Sequence, residues 1–170
     1  MANFKEDLRN IKAFVFDVDG VFTDGQIYLE PSGEFVRAVN MKDGFAVNYA
    51  LKQGYIIGII SGGDSQATRK RFQYLGITDI YVASRDKMND FEDFYFKYDL
   101  KPEEILYMGD DLPDYEVMKV AGLPTCPADA AEEIKSISKY ISTFPGGKGC
   151  VRDVIEQVLR LQGKWPKFDE

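Results

Sequence analysis

Asp17 and Asp19 stand two residues apart in Asp17-Val-Asp-Gly-Val-Phe-Thr-Asp24, with Gly20 freeing the turn behind them. Two carboxylates so spaced can hold a divalent cation and still leave one oxygen to attack phosphorus. Alone, such a pair is more often a solvated loop acid or a helix N-cap. Further along stand Ser61 in Ser61-Gly-Gly63, Lys87, and the acids of Gly109-Asp-Asp-Leu-Pro-Asp114. A serine hydroxyl and a lysine ammonium suit phosphoryl oxygens, and three acids suit magnesium. Each has a plainer reading: Ser61 capping the next helix, Lys87 solvated on a helix surface, Asp110 and Asp111 favouring a helix N-terminus through its dipole. What gives the set meaning is where the chain places its members.

Ile11-Lys-Ala-Phe-Val-Phe16 is an apolar run whose Ala13–Phe16 portion reads as a buried parallel strand ending at Asp17. Tyr55–Ile60 reads as a second strand ending at Ser61, Asp79–Ala83 as a third leading to Lys87, and Ile105–Met108 as a fourth leading to Asp110. Helices are expected between them: one capped by Asp43 and ended by Gly54, Ser65–Leu75 closed by Gly76, Lys87–Tyr98, a turn from Pro102, and one reaching about Val120. Leu123–Pro127 and Tyr140–Phe144 read as late strands around a helix near 130–137, and a helix from Val151 to about Leu161 closes the domain. The alternation predicts an α/β doubly wound, Rossmann-like parallel sheet with right-handed crossovers. Ligands bind at the carboxyl ends of such strands, where all these groups are placed. Gly25–Val39 reads as a protruding β-hairpin around Pro31-Ser-Gly-Glu34, Gly146-Gly-Lys-Gly149 is the one glycine cluster, and 163–170 reads as a loose tail.

Composition narrows the chemistry. At 170 residues and 45% hydrophobic content the chain suits one compact domain, 1–170. A net charge of −7 and a pI near 4.7 argue against nucleic acid or an anionic membrane as partner. There is no histidine, which removes Ser-His-Asp and Cys-His schemes and His-ligated zinc, leaving oxygen ligands and hence magnesium. Cys126 and Cys150 lack metal spacing and read as reduced thiols. Met1–Asn10 is charged, and no apolar run approaches ~18 residues, so a soluble cytoplasmic protein is expected.

The order Asp-x-Asp-Gly-x-x-Thr, Ser, Lys, Gly-Asp-Asp-x-x-Asp resembles the haloacid dehalogenase superfamily of phosphohydrolases over nearly the whole chain. Phe16–Val21, Tyr107–Asp114 and Gly146–Arg152 resemble its capless, tetrameric 3-deoxy-D-manno-octulosonate 8-phosphate phosphatase branch, which serves lipopolysaccharide synthesis. That resemblance implies Asp17 as nucleophile and Asp19 as general acid and base. It implies magnesium on Asp17, the Asp19 main-chain carbonyl and Asp110, with phosphoryl oxygens on Ser61, the Gly62 amide and Lys87. Asp111 and Asp114 then support the site from behind, and Arg71 and Lys148 are candidates to meet the substrate carboxylate. The gaps between motifs hold no cap domain, so a neighbouring subunit of a homotetramer is expected to wall the site through the hairpin, with a sugar phosphate as small-molecule partner. A sialic-acid-type nine-carbon 9-phosphate is the alternative substrate. A phospho-aspartate receiver domain is the alternative class, set against by Asp19, which a receiver lacks.

Overall fold

The structure, a computed structural model, describes residues 4–168. Six strands form one sheet in the order β5-β4-β1-β6-β7-β8, every neighbouring pair parallel. They are β1 (Ala13–Phe16), β4 (Ile56–Ile60), β5 (Asp79–Tyr81), β6 (Ile105–Met108), β7 (Leu123–Cys126) and β8 (Tyr140–Ile141). The antiparallel hairpin of β2 (Tyr28–Leu29) and β3 (Phe35–Val36) stands off this sheet. The helices are α1 (Phe4–Arg9), α2 (Met41–Lys52), α3 (Gln66–Leu75), α4 (Lys87–Lys97), α5 (Tyr115–Val120), α6 (Glu132–Ile137) and α7 (Cys150–Leu161).

β1 is wholly buried because alternate side chains face two separate cores. Phe14 and Phe16 pack with Ile57, Ile59, Val47 and Val154, whereas Ala13 and Val15 pack with Phe91, Phe94 and Val117. Burying each such large apolar side chain contributes about 1.5–3 kcal/mol. The strand order reverses at β1, and its register aligns Phe16 with both Ile59 and Met108. The chain therefore leaves β1, β4 and β6 at one level, which brings Asp17, Ser61 and Gly109-Asp110 to one edge of the sheet.

Several local expectations are corrected. Asn40, not Asp43, caps α2, its side chain accepting from the amides of Lys42 and Asp43. Asp43 instead reaches the start of α7, where its Oδ1 accepts the Arg152 amide at 2.9 Å. Its Oδ2 is buried without a hydrogen-bond partner, and burial pushes the carboxyl up to about 6. The segment expected to be loose is anchored by Trp165, only 7% exposed and edge-on to Tyr49 at 5.6 Å; Asp169 and Glu170 lie outside the described residues. Phe4–Arg9 forms a helix with Leu8 buried, which the charged N-terminal stretch did not suggest, while Met1–Asn3 lies outside the described residues. β5, β7 and β8 are each shorter than expected. Among the described residues no helix is long and apolar enough to cross a membrane.

Candidate active site

Asp17 caps β1. Its amide donates to the Met108 carbonyl at 3.0 Å, tying it to the neighbouring strand, and its Oδ1 accepts the Val18 amide at 2.7 Å. Its Oδ2 lies 3.0 Å from Lys87 Nζ. Lys87 is the first residue of α4, a helix capped by Asp86, and its stem is buried. The same ammonium donates to Asp114 Oδ1 at 2.8 Å.

Asp114 is fully buried and its acceptors are committed. Oδ1 also takes the Tyr107 hydroxyl at 2.7 Å, and Oδ2 takes the Asp110 amide at 3.1 Å. A Cβ on Gly109 would lie 2.4 Å from the Asp114 side chain, so glycine is needed for that carboxylate to tuck under the loop. Asp110 lies against the first loop in a similar way: a Cβ on Gly20, at φ +85°, would fall 1.8 Å from Asp110 Oδ2. Asp111 is exposed and caps the following turn through the Leu112 amide at 2.8 Å.

The electrostatics of this cluster are those of too many acids for one lysine. Burial, reinforced by Asp114, pushes the Asp17 carboxyl well above the usual range, against the pull of Lys87. Burial, then the charges of Asp114 and Asp111, push Asp110 up to about 7. Burial alone would lower Lys87, but Asp17 and Asp114 outweigh it and its pKa is raised. Oxygens of Asp17, Asp110 and Asp114 all lie within 4.8 Å of one another. Hard oxygen donors bearing excess negative charge fit a divalent cation such as magnesium. Because Asp114 is occupied by its own partners, Asp17 and Asp110 are the side chains suited to hold it.

Ser61 is buried, its Oγ accepting the Gly63 amide at 3.2 Å, while Gly62 is exposed, and a Cβ there would meet only the Ser84 carbonyl oxygen, at 3.9 Å. Asp19 sits further out, near Thr23 Oγ1 at 3.3 Å. Its carboxylate is gripped by a residue the sequence reading did not single out: Arg37 donates from Nε to Oδ1 at 2.7 Å and from Nη2 to Oδ2 at 3.0 Å. The available signal was a cation on the period-two face of Phe35 and Val39, the only basic residue between Lys12 and Lys42.

Arg71 and Lys148 do not meet. Arg71 lines a cavity of about 630 Å³ together with Arg37, Gly63, Ser65 and Thr68. Lys148 lines a separate one of about 550 Å³ with Lys42, Phe144 and Arg152. The glycine cluster packs closely on the loop that follows β1. A Cβ on Gly146 would lie 2.0 Å from the Gly20 carbonyl oxygen, and the Gly147 amide donates to the Val21 carbonyl at 2.9 Å.

Comparison with known proteins agrees with this geometry. The haloacid dehalogenase-like hydrolase family matches residues 65–151, just over half the chain. The chain is 37% identical to the 3-deoxy-D-manno-octulosonate 8-phosphate phosphatase KdsC of Escherichia coli K12 over 155 residues, covering 91% of this chain and 82% of that protein. Its structure is similar to that phosphatase from Yersinia pestis (TM-score 0.92, 33% identity, 94% of this chain and 86% of the other). It is also similar to the Moraxella catarrhalis enzyme in complex with magnesium, phosphate and KDO (TM-score 0.90, 33% identity, 94% and 91%). Strand-end acids, a buried lysine bridge and these likenesses lead to one assignment: the chain belongs to the haloacid dehalogenase-like hydrolase family and is a phosphatase.

Proposed function

We propose that this phosphatase removes phosphate from an acidic 2-keto-3-deoxy sugar, 3-deoxy-D-manno-octulosonate 8-phosphate, in lipopolysaccharide precursor synthesis in the cytoplasm. The observation that carries the chemistry is Lys87 bridging Asp17 and the buried Asp114 beside Asp110. The substrate is drawn from the relatives, which act on or bind that sugar.

Asp17 attacks phosphorus in line and becomes an aspartyl-phosphate, its oxygen held in place by the Val18 amide and Lys87. Ser61, the Gly62 amide and Lys87 receive the phosphoryl oxygens. Asp19 gives a proton to the departing sugar oxygen and then takes one from the water that hydrolyses the intermediate. Asp17, the Asp19 carbonyl and Asp110 are the residues to hold magnesium, whose chemistry is to offset negative charge between nucleophile and phosphate. Asp114 keeps Lys87 charged and aimed, and Asp111 acts through its charge on Asp110.

Tyr28, Leu29 and Phe35 on the hairpin are between half and three-quarters exposed, an apolar face suited to a neighbouring subunit of a homotetramer. The deciding experiment measures phosphate released from the eight- and nine-carbon acidic sugar phosphates and from neutral sugar phosphates, with and without magnesium. Preference for the eight-carbon acid supports the proposal. Equal turnover of neutral and acidic sugars defeats its substrate half.

A further inference from the structure

Arg37 links the hairpin to the catalytic acid–base, and the way it does so bears on which substrates are accepted. The fork is bidentate, and Asp19 Oδ1 additionally faces the Thr23 hydroxyl. A carboxylate with both oxygens filled by a guanidinium has neither oxygen free to reach a departing alcohol. The general acid must leave this pair before the ester bond breaks.

The neighbourhood is built to receive the guanidinium. A Cβ on Gly63 would lie 3.4 Å from Arg37 Nη2, 3.6 Å from Ser61 Oγ and 3.7 Å from Asp19 Oδ2. A longer side chain at 63 would enter the space that Arg37 fills, so the loop after β4 leaves room for a cation delivered by the hairpin. The Arg37 side chain is only 12% exposed, yet it borders both the 630 Å³ cavity and the small recess between Asp19 and Ser61. Arg71 lines the same cavity, as do the acids Glu34 and Asp64. The hairpin carrying Arg37 rests on two-residue strands, so its cross-strand pairing opposes little movement.

We propose that Arg37 is a specificity-determining residue: it clamps Asp19 in the resting enzyme, and the carboxylate of an acidic substrate draws it off, releasing Asp19 only when such a substrate fills the cavity. Exchanging one carboxylate for another keeps the guanidinium paired throughout, and the freed Asp19 takes from solvent the proton it passes to the leaving oxygen. A phosphate ester without a carboxylate must break the clamp with nothing in return. The proposal rests on the assignment of Asp19 as acid–base and of an acidic sugar as substrate.

The test compares wild type, Arg37→Ala and Arg37→Lys on 3-deoxy-D-manno-octulosonate 8-phosphate and on ribose 5-phosphate, whose leaving group is also a primary alcohol. Arg37→Ala should raise KM for the acidic substrate about 10- to 100-fold, the effect of losing a charge-assisted hydrogen-bonded pair. On ribose 5-phosphate the same change should raise kcat several-fold, because Asp19 is no longer held. Arg37→Lys should recover part of the acidic KM but not the clamp. Parallel losses on both substrates would reveal a structural role and overturn the proposal, as would an unchanged KM for the acidic one. Failure of wild type to hydrolyse the acidic sugar defeats the substrate assignment, whereas the ribose 5-phosphate result still decides the clamp.

Discussion

The carboxylates of the site are chemically alike and separated in role by what touches them. Asp17 has an amide on one oxygen and Lys87 on the other, so Asp17→Asn should keep the fold while removing the nucleophile. Turnover of any phosphate ester should drop by more than about a hundredfold, with an unchanged circular dichroism spectrum; smaller losses would point to a different nucleophile. Asp19→Asn should slow both formation and breakdown of the intermediate by roughly 10²–10⁴, read from single-turnover rates. Asp114 belongs to another category, since it satisfies Lys87, Tyr107 and a loop amide at once. Removing it leaves Lys87 with Asp17 alone and the Tyr107 hydroxyl and Asp110 amide without an acceptor, and Asp114→Ala should cost about 3–5 kcal/mol in urea unfolding, against almost nothing for the exposed Asp111→Ala. The placement of Asp17, Ser61, Lys87 and Asp110 was legible in the sequence, because each follows the end of an apolar run. The grip of Arg37 on Asp19 was not: an arginine beyond a hairpin strand looks like any solvated cation until the hairpin's direction is known.

At the scale of elements, the strands were the readable part. Ala13–Phe16 and Ile105–Met108 are short apolar runs buried on both faces, and both are found with the expected limits. Helix ends were read less well, since Asp43 looks like a cap and is drawn away by the amides of α7. That displacement has a measurable cost. With its carboxyl raised from 3.8 to about 6, folded Asp43 holds its proton where the unfolded chain has released it. Its contribution to stability is therefore present below about pH 4 and lost as pH rises toward 6, amounting to about 3 kcal/mol. Urea midpoints for wild type and Asp43→Asn should diverge between pH 4 and pH 7, the variant gaining relative to wild type at the higher pH; parallel profiles would contradict this. The hairpin carries its own prediction. Leu29→Lys on its 74% exposed face should reduce the assembled species in sedimentation experiments without unfolding the subunit.

For the molecule as a whole, the acid cluster is expected to link cation binding to stability as well as to catalysis. Magnesium should raise Tm by several degrees in wild type and by less in Asp110→Asn, because a bound cation offsets the burial and the repulsion that raise both carboxyls. Activity should vanish in a chelator, and excess calcium should inhibit by demanding more ligands at longer distances. The contact of Gly146 and Gly147 with the loop from Gly20 to Asp24 also has a consequence for biosynthesis. The loop that carries Asp17 and Asp19 follows the first strand of the sheet, yet it is completed by residues made after the last strand. A nascent chain halted before Gly146 can have most of its sheet and still lack a finished catalytic loop. The enzyme is thus expected to emerge silent and to switch on only once Gly146 and Gly147 have been made and have docked on that loop.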